Sequence, residues 1–345
     1  MNSLPPSWPC ELESLAAALA AGAMMELRLT PKPGLVDLID NGSHPDLSFP
    51  LMERSVGIVA RYLEEIAASL RAGEAFPRQQ EIALQAERRL YAELGTNTHK
   101  GYVFLSGMLL IARHHAGGCG KCGGCGGCGG CGGSGGSDKC GECGKCGGGG
   151  GNGGGGGNGE CGGSGECGGS GESGGSGESG GSGKRGESAL RKSLSAVSRA
   201  FFSAAGERDT HGERARRQFH GGGIVREAVD AYPSLFEDAL PVFRQTMARR
   251  ACVATASFAM MARLMQTVND TTTLHRGGSE GLERVRRDGR ALERQIAKGE
   301  DPAAFLEQLN QDYKRLNLTI GGVADMLGIA FGWLIFGNEI PSDGG

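Results

Sequence analysis

Residues 117–186 constrain the fold of this 345-residue chain more than any other stretch, because glycine dominates them and ten of the twelve cysteines lie there. Cysteine recurs at every third residue from Cys119 to Cys131 and again from Cys140 to Cys146, and serine then replaces it in a Gly-Ser-Glu repeat. A segment this rich in glycine buries too little apolar surface to fold alone. We therefore predict a disordered low-complexity insertion that divides one helical domain into residues 1–116 and 187–345.

The cysteine spacing allows a second interpretation of the same segment. Cysteines separated by two residues have the spacing of zinc ligands, and a zinc site usually needs two such pairs. Here, however, the pairs belong to a repeat that decays into Gly-Ser-Glu, and no ordered scaffold separates them. The linker interpretation is favoured, and a metal-handling protein that works through this segment is the alternative.

The remaining chain, about 275 residues of ordinary composition, is long enough for one large core or two small ones. Apolar residues recur in it at helical spacing, and no strand-like alternation of useful length occurs. We predict an all-α fold, a single multi-helix globular bundle, in which the apolar helix 251–268 is central and buried. The predicted helices are residues 11–29, 49–71, 78–94, 102–115, 188–205, 234–249, 251–268, 279–297, 303–316 and an apolar segment that ends near Phe336.

Charge and hydropathy exclude several classes of protein. The net charge of −3 and the pI near 6.2 provide no field that attracts nucleic acid or an anionic membrane. The N-terminus has no basic region followed by an apolar core, so no signal peptide is predicted. The longest apolar run, Met326 to Phe336, is too short to span a bilayer. We expect a cytoplasmic protein that binds neither nucleic acid nor membrane.

Candidate site residues concentrate in four Gly- or Pro-containing loops that adjoin helices: Thr30–Asp46, Asn97–Gly101, Asp270–Gly278 and Asn317–Asp325. Two prolines at the start of Thr30–Asp46 stop the first helix. Asn97 or Thr98 is a suitable cap for the helix that follows the second loop. Four polar loops of this kind in a helical chain predict that they converge on one pocket. For any single loop, a solvated connection or a helix cap is an equally good interpretation.

The residue types in these loops suit a polyphosphate ligand. Carboxylates hold Mg²⁺ together with phosphate oxygens, whereas lysine and arginine neutralise phosphate directly. Histidine transfers protons at neutral pH. The predicted metal ligands are Asp37, Asp46, Asp270 and Asp325. The predicted nucleotide- and phosphate-binding residues are Lys32, Asn97, Lys100, Arg276, Gly277, Gly278, Gly321 and Gly322. The candidates for proton transfer are His44, His99 and His275, and for each of these a structural hydrogen bond is the alternative.

Four segments, TPKPGLVDLIDNGSHPDL, GTNTHKG, DTTTLHRGG and NLTIGGVADML, resemble the ordered motifs of the triphosphoribosyl-dephospho-CoA synthases that serve citrate lyase and malonate decarboxylase. The resemblance covers about residues 11–115 and 188–336, and the weaker segment from Thr210 to Ala228 is similar to a Gly/Arg/Glu segment of that family. Three positions depart from its motifs. Thr272 stands where the family has asparagine, and Ile320 and Val323 replace a proline and a serine.

The resemblance implies an enzyme with ATP and 3′-dephospho-CoA as substrates and Mg²⁺ as cofactor. The 2′-hydroxyl of 3′-dephospho-CoA attacks C1′ of the ATP ribose, adenine leaves, and the product is the precursor of a prosthetic group. Lys32, Lys100 and Arg276 would hold the triphosphate with Mg²⁺. Glu26 or a free aspartate would supply negative charge beside the sugar, and His99 or His275 would share the proton transfers with a carboxylate. A transferase acting on an acyl-carrier protein is the downstream partner that the resemblance implies.

The three departures leave a second enzymatic interpretation open. A relative with altered motifs would use ATP or another phosphoribosyl donor in the biosynthesis of a one-carbon-carrying pterin cofactor. Release of adenine that depends strictly on dephospho-CoA distinguishes the first interpretation from this one.

Overall fold

Helices are the only regular elements in the part of the chain that our computed structural model describes, which is residues 11–96, 98–117, 180–204 and 222–342. The all-α prediction is therefore confirmed. The predicted insertion and the segment from Thr210 to Gly221 fall almost entirely outside the described residues. Asn97 also lies outside them.

Eleven α-helices are present in the described ranges, and a π-helical turn directly precedes one of them. They are α1 (Glu11–Arg28), α2 (Phe49–Arg71), α3 (Phe76–Leu94), α4 (Lys100–Ala116), α5 (Gly180–Ala204), α6 (Gly223–Val229), α7 (Leu240–Arg250, preceded by the π-helical turn Ser234–Ala239), α8 (Val253–Thr267), α9 (Thr271–Lys298), α10 (Ala303–Leu316) and α11 (Gly321–Phe336).

The start of α9 differs from the prediction. The sequence predicts a glycine-rich turn through Gly278 and a helix only from residue 279, but α9 begins at Thr271. The reason is the Asp270 side chain, which accepts hydrogen bonds from the backbone N–H groups of Thr272 and Thr273 and so caps the helix. Gly278 then interrupts the helix with φ 62° and ψ −162°. The predicted turn is thus a capped helical segment followed by a kink.

One hydrophobic core joins the helices on both sides of the undescribed segment between residues 117 and 180. Helix α8 lies within it and packs against α7, α9 and α11, as the sequence predicts. The closest helix pair is α1 and α11. A β-carbon on Gly22 would overlap backbone atoms of Gly328 and Gly332, so these two helices meet backbone to backbone.

Among the described helices, none combines the length and the apolar character that crossing a membrane requires.

Candidate active site

All four polar loops reach one cavity of about 380 Å³. It lies where the C-terminal end of α1 meets the N-terminal ends of α4, α9 and α11. This volume is within the range of small-molecule sites. Its charged and imidazole groups are Glu26, His44, Asp46, His99, Lys100, Arg276 and Asp325. Four threonines add hydroxyl groups, namely Thr96, Thr98, Thr272 and Thr319, and Leu35, Val36 and Met52 form an apolar part of the wall.

Lys32 is not on the wall of this cavity, although the sequence assigns it to phosphate. Its side chain is only 1% exposed, and its Nζ lies 2.6 Å from Glu26 Oε1 and 2.5 Å from the Glu26 carbonyl oxygen. Pro31 and Pro33 flank this lysine and prevent α1 from continuing, so the chain turns back and the lysine meets the last turn of the helix. Burial raises the pKa of the Glu26 carboxyl, and the Lys32 ammonium counteracts that shift. Lys32 therefore compensates a buried carboxylate that faces the cavity.

Asp37 is likewise directed into the protein. Its Oδ2 accepts the backbone N–H of Lys32 at 2.9 Å, and its Oδ1 accepts those of Ile39 and Asp40 at 2.8 and 3.1 Å. With three backbone donors and 2% exposure, this carboxylate organises the loop and is not available to a metal ion. The prediction of Asp37 as a metal ligand is not supported by this geometry.

Asp270 is likewise buried and bonded to backbone N–H groups, but it lies between two helices. While its Oδ1 caps α9, its Oδ2 accepts the backbone N–H of Val323 at 3.1 Å, in the first turn of α11. The two positive helix ends stabilise one negative charge that is 1% exposed. Burial nevertheless raises the pKa of Asp270. Because both oxygens are occupied by backbone donors, the predicted metal role of Asp270 is not supported either.

Asp325 does line the cavity, and it lies at the N-terminal end of α4. Its carboxylate packs directly on the Cα of Gly101, where any side chain would collide with it. Burial raises the pKa of Asp325 well above its usual range, and the carboxylates of Asp270 and Glu26 raise it further. The helix end that the sequence assigns to phosphate is thus already next to a carboxyl group of the protein.

Arg276 enters the cavity from the second turn of α9. Its Nη1 donates to the carbonyl oxygen of Ser43 at 2.7 Å, and its Nη2 donates to His44 Nδ1 at 3.2 Å. The other imidazole nitrogen, Nε2, lies 2.9 Å from Thr319 Oγ1. Burial, with the Arg276 charge as a second cause, lowers the pKa of His44 to about 4. His44 is therefore neutral and orients Arg276, and both of its nitrogens are occupied.

His99 precedes α4 and lines the cavity, although it is only 6% exposed. Its Nδ1 lies 2.5 Å from Ser55 Oγ, and Ser55 Oγ also contacts Thr98 Oγ1. Burial lowers the pKa of His99 to about 4, and the Lys32 charge contributes. The imidazole is thus neutral at pH 7. His99, the residue before α4, makes no side-chain capping hydrogen bond, and the Thr98 hydroxyl, one of the two predicted caps, bonds to Ser55, whereas Asn97, the other, lies outside the described residues.

His275 does not reach the cavity. Its side chain is exposed, and it is absent from the described residues that form the wall. The physical reason is the early start of α9, since adjacent residues of a helix point about 100° apart and Arg276 takes the inward direction. The predicted catalytic role of His275 is not supported by this position.

Of the four predicted phosphate-binding glycines, one lines the cavity and three do not. Gly321 lines the cavity, whereas Gly277, Gly278 and Gly322 do not belong to its described wall. Gly277 packs against Leu318, and Gly322 lies against the Asp270 carboxylate, so these two serve close packing. Lys100 and Asp46 are exposed parts of the wall, and Lys100 Nζ is 3.3 Å from Glu87 Oε2.

Ser55, which bonds to His99, is a residue beside the site that the sequence did not predict. It lies in the second turn of α2, outside the four polar loops, and the only signal is a serine on the buried face of an amphipathic helix.

The carboxylates on the cavity wall could supply some, but not all, of the oxygen ligands that Mg²⁺ requires. Within residues 11–96, 98–117, 180–204 and 222–342, no three His, Cys, Asp or Glu side chains are grouped to hold a metal ion by themselves. Mg²⁺ in nucleotide sites typically uses one or two carboxylates plus phosphate oxygens. Asp46 and Asp325, the two aspartates on the wall, fit that donor set.

The sequence also matches a known family. The family model described as ATP:dephospho-CoA triphosphoribosyl transferase matches residues 12–122 and 181–339, which is well over half of the chain. The chain belongs to this family of transferases. The family resemblance drawn from the motifs is thereby confirmed, and the matched residues include all four polar loops.

Curated relatives support the assignment over nearly the whole length. A probable 2-(5''-triphosphoribosyl)-3'-dephosphocoenzyme-A synthase of Streptococcus equi subsp. zooepidemicus is 26% identical over 93% of this chain and 96% of its own. The synthase of that name from Klebsiella pneumoniae is 26% identical over 91% of both chains. A probable synthase from Pseudomonas putida is 26% identical over 90% of both. No solved structure matches the chain.

Proposed function

We propose that this transferase moves the 5-triphosphoribosyl group of ATP to the 2′-hydroxyl of 3′-dephospho-CoA and releases adenine. The observation that carries the proposal is the cavity wall, which combines two cationic side chains, three carboxylates and two neutral histidines. Membership of the family supplies the substrates. The wall supplies groups suited to each part of the reaction.

The triphosphate requires positive charge, and Arg276 and Lys100 are the cationic side chains on the wall. Arg276 is oriented by Ser43 and His44, so its guanidinium is presented with little loss of side-chain freedom on binding. Lys100 lies at the exposed side, where it interacts as a mobile point charge. Mg²⁺ held by Asp46 and Asp325 would neutralise further phosphate charge.

The transferred sugar develops positive charge as adenine departs, because the bond to the base breaks before the new bond is complete. The Glu26 carboxyl faces the cavity from the end of α1, and the Lys32 ammonium at 2.6 Å favours its charged form, although burial raises its pKa. A fixed negative charge in a site with little water stabilises such a transition state. We assign this role to Glu26.

The 2′-hydroxyl of the acceptor must lose a proton when it attacks C1′. His99 is the imidazole of the wall that remains suited to accept it, because both nitrogens of His44 are bonded and His275 is elsewhere. A neutral imidazole accepts a proton at pH 7, and such transfers typically contribute about 10²- to 10⁴-fold to the rate. We assign the base to His99.

The direct test is incubation of the full-length protein with ATP, Mg²⁺ and 3′-dephospho-CoA. We expect adenine to appear in equal amount to an acceptor whose mass has increased by one triphosphoribosyl group. Omission of dephospho-CoA should abolish adenine release. Adenine released without acceptor, or neither product, would contradict the proposal.

The downstream step is a transfer of the product to an acyl-carrier protein by a second enzyme, as the family resemblance implies. Neither alternative function has a specific observation in its favour. A pterin-pathway enzyme would release adenine without dephospho-CoA. A metal-handling protein would work through residues that lie outside the described ranges.

A further inference from the structure

Three side chains, one from α2 and two from the turn before α4, form a connected line beside the cavity: Ser55, Thr98 and His99. Ser55 Oγ lies 2.5 Å from His99 Nδ1 and also contacts Thr98 Oγ1. The His99 ring is held in place by Tyr102, which meets it edge to face with the ring centroids 6.2 Å apart. Tyr102 is itself fixed, since its hydroxyl donates to the Leu19 carbonyl oxygen at 2.6 Å.

The two ends of this line face the cavity and its middle does not. Thr98 and His99 belong to the cavity wall, whereas Ser55 is 0% exposed and is not one of the described wall residues. A serine beside a histidine is also the arrangement of an activated nucleophile. That role is excluded here because no substrate atom in the cavity can reach Ser55.

The environment of His99 disfavours a lasting positive charge on its ring. Burial and the Lys32 ammonium keep the imidazole neutral, with a pKa of about 4. A proton that arrives at Nε2 is therefore best balanced by a proton that leaves from Nδ1. The group that receives it is Ser55 Oγ, which is at hydrogen-bond distance.

We propose that His99, Ser55 and Thr98 act as a proton relay that connects the acceptor hydroxyl to the leaving adenine. This inference rests on the proposed function. As O2′ of dephospho-CoA bonds to C1′, its proton passes to His99 Nε2, and the Nδ1 proton passes to Ser55 Oγ. The Ser55 proton then passes to Thr98 Oγ1, and the Thr98 proton passes to the adenine nitrogen that takes the electron pair of the broken C1′–N bond. No net charge remains on the protein.

The relay makes Thr98 a catalytic residue and Ser55 a residue that acts through its neighbours. It requires that hydroxyls, and not merely side chains of the right size, occupy both positions. Before the reaction, Ser55 must donate to Thr98 and accept from Nδ1–H, which leaves the Nε2 lone pair directed away from Ser55. After each turnover Nε2 releases its proton to solvent in the cavity, and a proton from solvent returns to Nδ1 through Thr98 and Ser55, so that the histidine tautomer and both hydroxyls are restored.

The first test compares Thr98→Val with Thr98→Ser at saturating ATP and dephospho-CoA. Valine has the shape of threonine without the hydroxyl, and we expect kcat to fall about 10²-fold. Serine restores the hydroxyl and should keep kcat within about threefold of the wild type. KM for both substrates should change little. Loss of kcat in both variants would overturn the relay, because it would indicate a role for the threonine methyl group.

The second test is Ser55→Ala, with Ser69→Ala as the matched control. Ser69 is a buried serine of the same helix, bonded to Gln79 and outside the described wall of the cavity. Both variants lose a buried hydroxyl, and only Ser55→Ala should lose kcat, again by about 10²-fold. Equal kcat values for the two variants would overturn the proposal, and thermal melting of both corrects for unequal stability.

The third test uses a synthetic triphosphoribosyl donor that carries 4-nitrophenolate in place of adenine. This leaving group departs without a proton, so the defect of Thr98→Val should shrink at least about tenfold relative to that with ATP. An equal defect with both donors would assign Thr98 a merely structural role. Wild-type enzyme that fails with both donors would contradict the proposed function itself, whereas a working wild type with an unaffected Thr98→Val variant would contradict the relay alone.

Discussion

The loop from Leu29 to Ser48 and the turn from Gly95 to His99 have similar polar sequences but use them in opposite ways. In the loop, Lys32 and Asp37 are almost fully buried and bond to Glu26 and to backbone N–H groups. In the turn, Thr98 and His99 line the cavity, and Lys100 follows them. The titratable side chains of the loop that do reach the cavity, His44 and Asp46, come only towards its end.

The difference teaches that the partner of a polar group, and not its presence in a loop, decides whether it serves the ligand. The loop has no regular structure, so its backbone N–H groups need acceptors, and Asp37 supplies them. The turn is short and is followed at once by α4, so few of its side chains are needed to accept hydrogen bonds from backbone N–H groups. Substitutions in the loop should therefore affect mainly stability, and substitutions in the turn mainly chemistry.

His99→Gln should have the largest effect. The amide retains a hydrogen bond to Ser55 but accepts no proton from the acceptor hydroxyl, so we expect kcat to fall about 10²- to 10⁴-fold. Adenine release measures the change, and thermal melting provides the control. If His99→Gln unfolds instead, then His99 serves mainly stability, as the buried residues of the loop do, and the contrast between turn and loop fails.

Lys32→Met should destabilise the protein by about 3 kcal/mol, because it leaves the buried Glu26 carboxyl without its charged partner. Urea unfolding measures the loss. The double variant Lys32→Met, Glu26→Gln removes both charges and should recover part of the stability. If the single variant keeps its stability but raises the KM for ATP, then Lys32 contacts phosphate and the comparison fails.

Acidification should weaken the fold through His99. Its pKa is about 4 in the folded protein and about 6.5 when unfolded, so between these values the unfolded chain binds more protons. The contribution is complete above pH 6.5 and is lost as pH falls through 4, by about 3 kcal/mol. Urea unfolding from pH 7 to pH 4 should show a weaker decline in His99→Gln. Parallel curves would contradict the assigned burial of this histidine.

Asp37→Asn should lower the free energy of unfolding by about 1–3 kcal/mol, because an amide N–H₂ would face the Lys32 N–H that Oδ2 now accepts. Asp46→Asn is the matched control. Asp46 is exposed on the cavity wall, so its substitution should change stability by less than about 0.5 kcal/mol. An unchanged melting temperature in Asp37→Asn would undo the structural assignment of the loop.

Lys100→Ala should have the smallest effect, a rise in the KM for ATP of about two- to fivefold that diminishes with added salt. Its ammonium is exposed and already near Glu87. Lys298→Ala removes an exposed lysine that pairs with Glu300 at the end of α9 and should leave KM unchanged. Equal changes in both variants would show a general charge effect in place of contact at the cavity.

The helical fold was predictable from the sequence because apolar periodicity reports the face that each helix buries. The bounds of α2 and α10 match their predictions, since Pro50 begins one and Asn317 in the left-handed region ends the other. The start of α9 was predicted wrongly. An aspartate before three threonines is as typical of a cap as of a ligand, and only the position of α11 shows which donors it meets.

The site was predictable as a set of loops but not residue by residue. Of the predicted residues, the wall contains Glu26, His44, Asp46, His99, Lys100, Arg276, Gly321 and Asp325. Asp37 and Asp270 were indistinguishable from these by residue type, because the sequence does not show whether an aspartate turns towards backbone N–H groups, as these two do, or towards a ligand. Ser55 lies in α2, 44 residues from its histidine, so no local pattern indicates it.

The backbone contact between α1 and α11 has a consequence for the chemistry of the cavity. Glu26 lies one helical turn beyond Gly22, and Asp325 lies one turn before Gly328. The separation of these two carboxylates is therefore fixed by the thickness of two bare peptide backbones. A single methyl group added by Gly22→Ala would wedge the helices apart at that point. Gly22→Ala would then move Glu26 and Asp325 relative to each other, although Gly22 itself does not line the cavity. The glycines at this helix contact therefore set the distance between the two acidic groups.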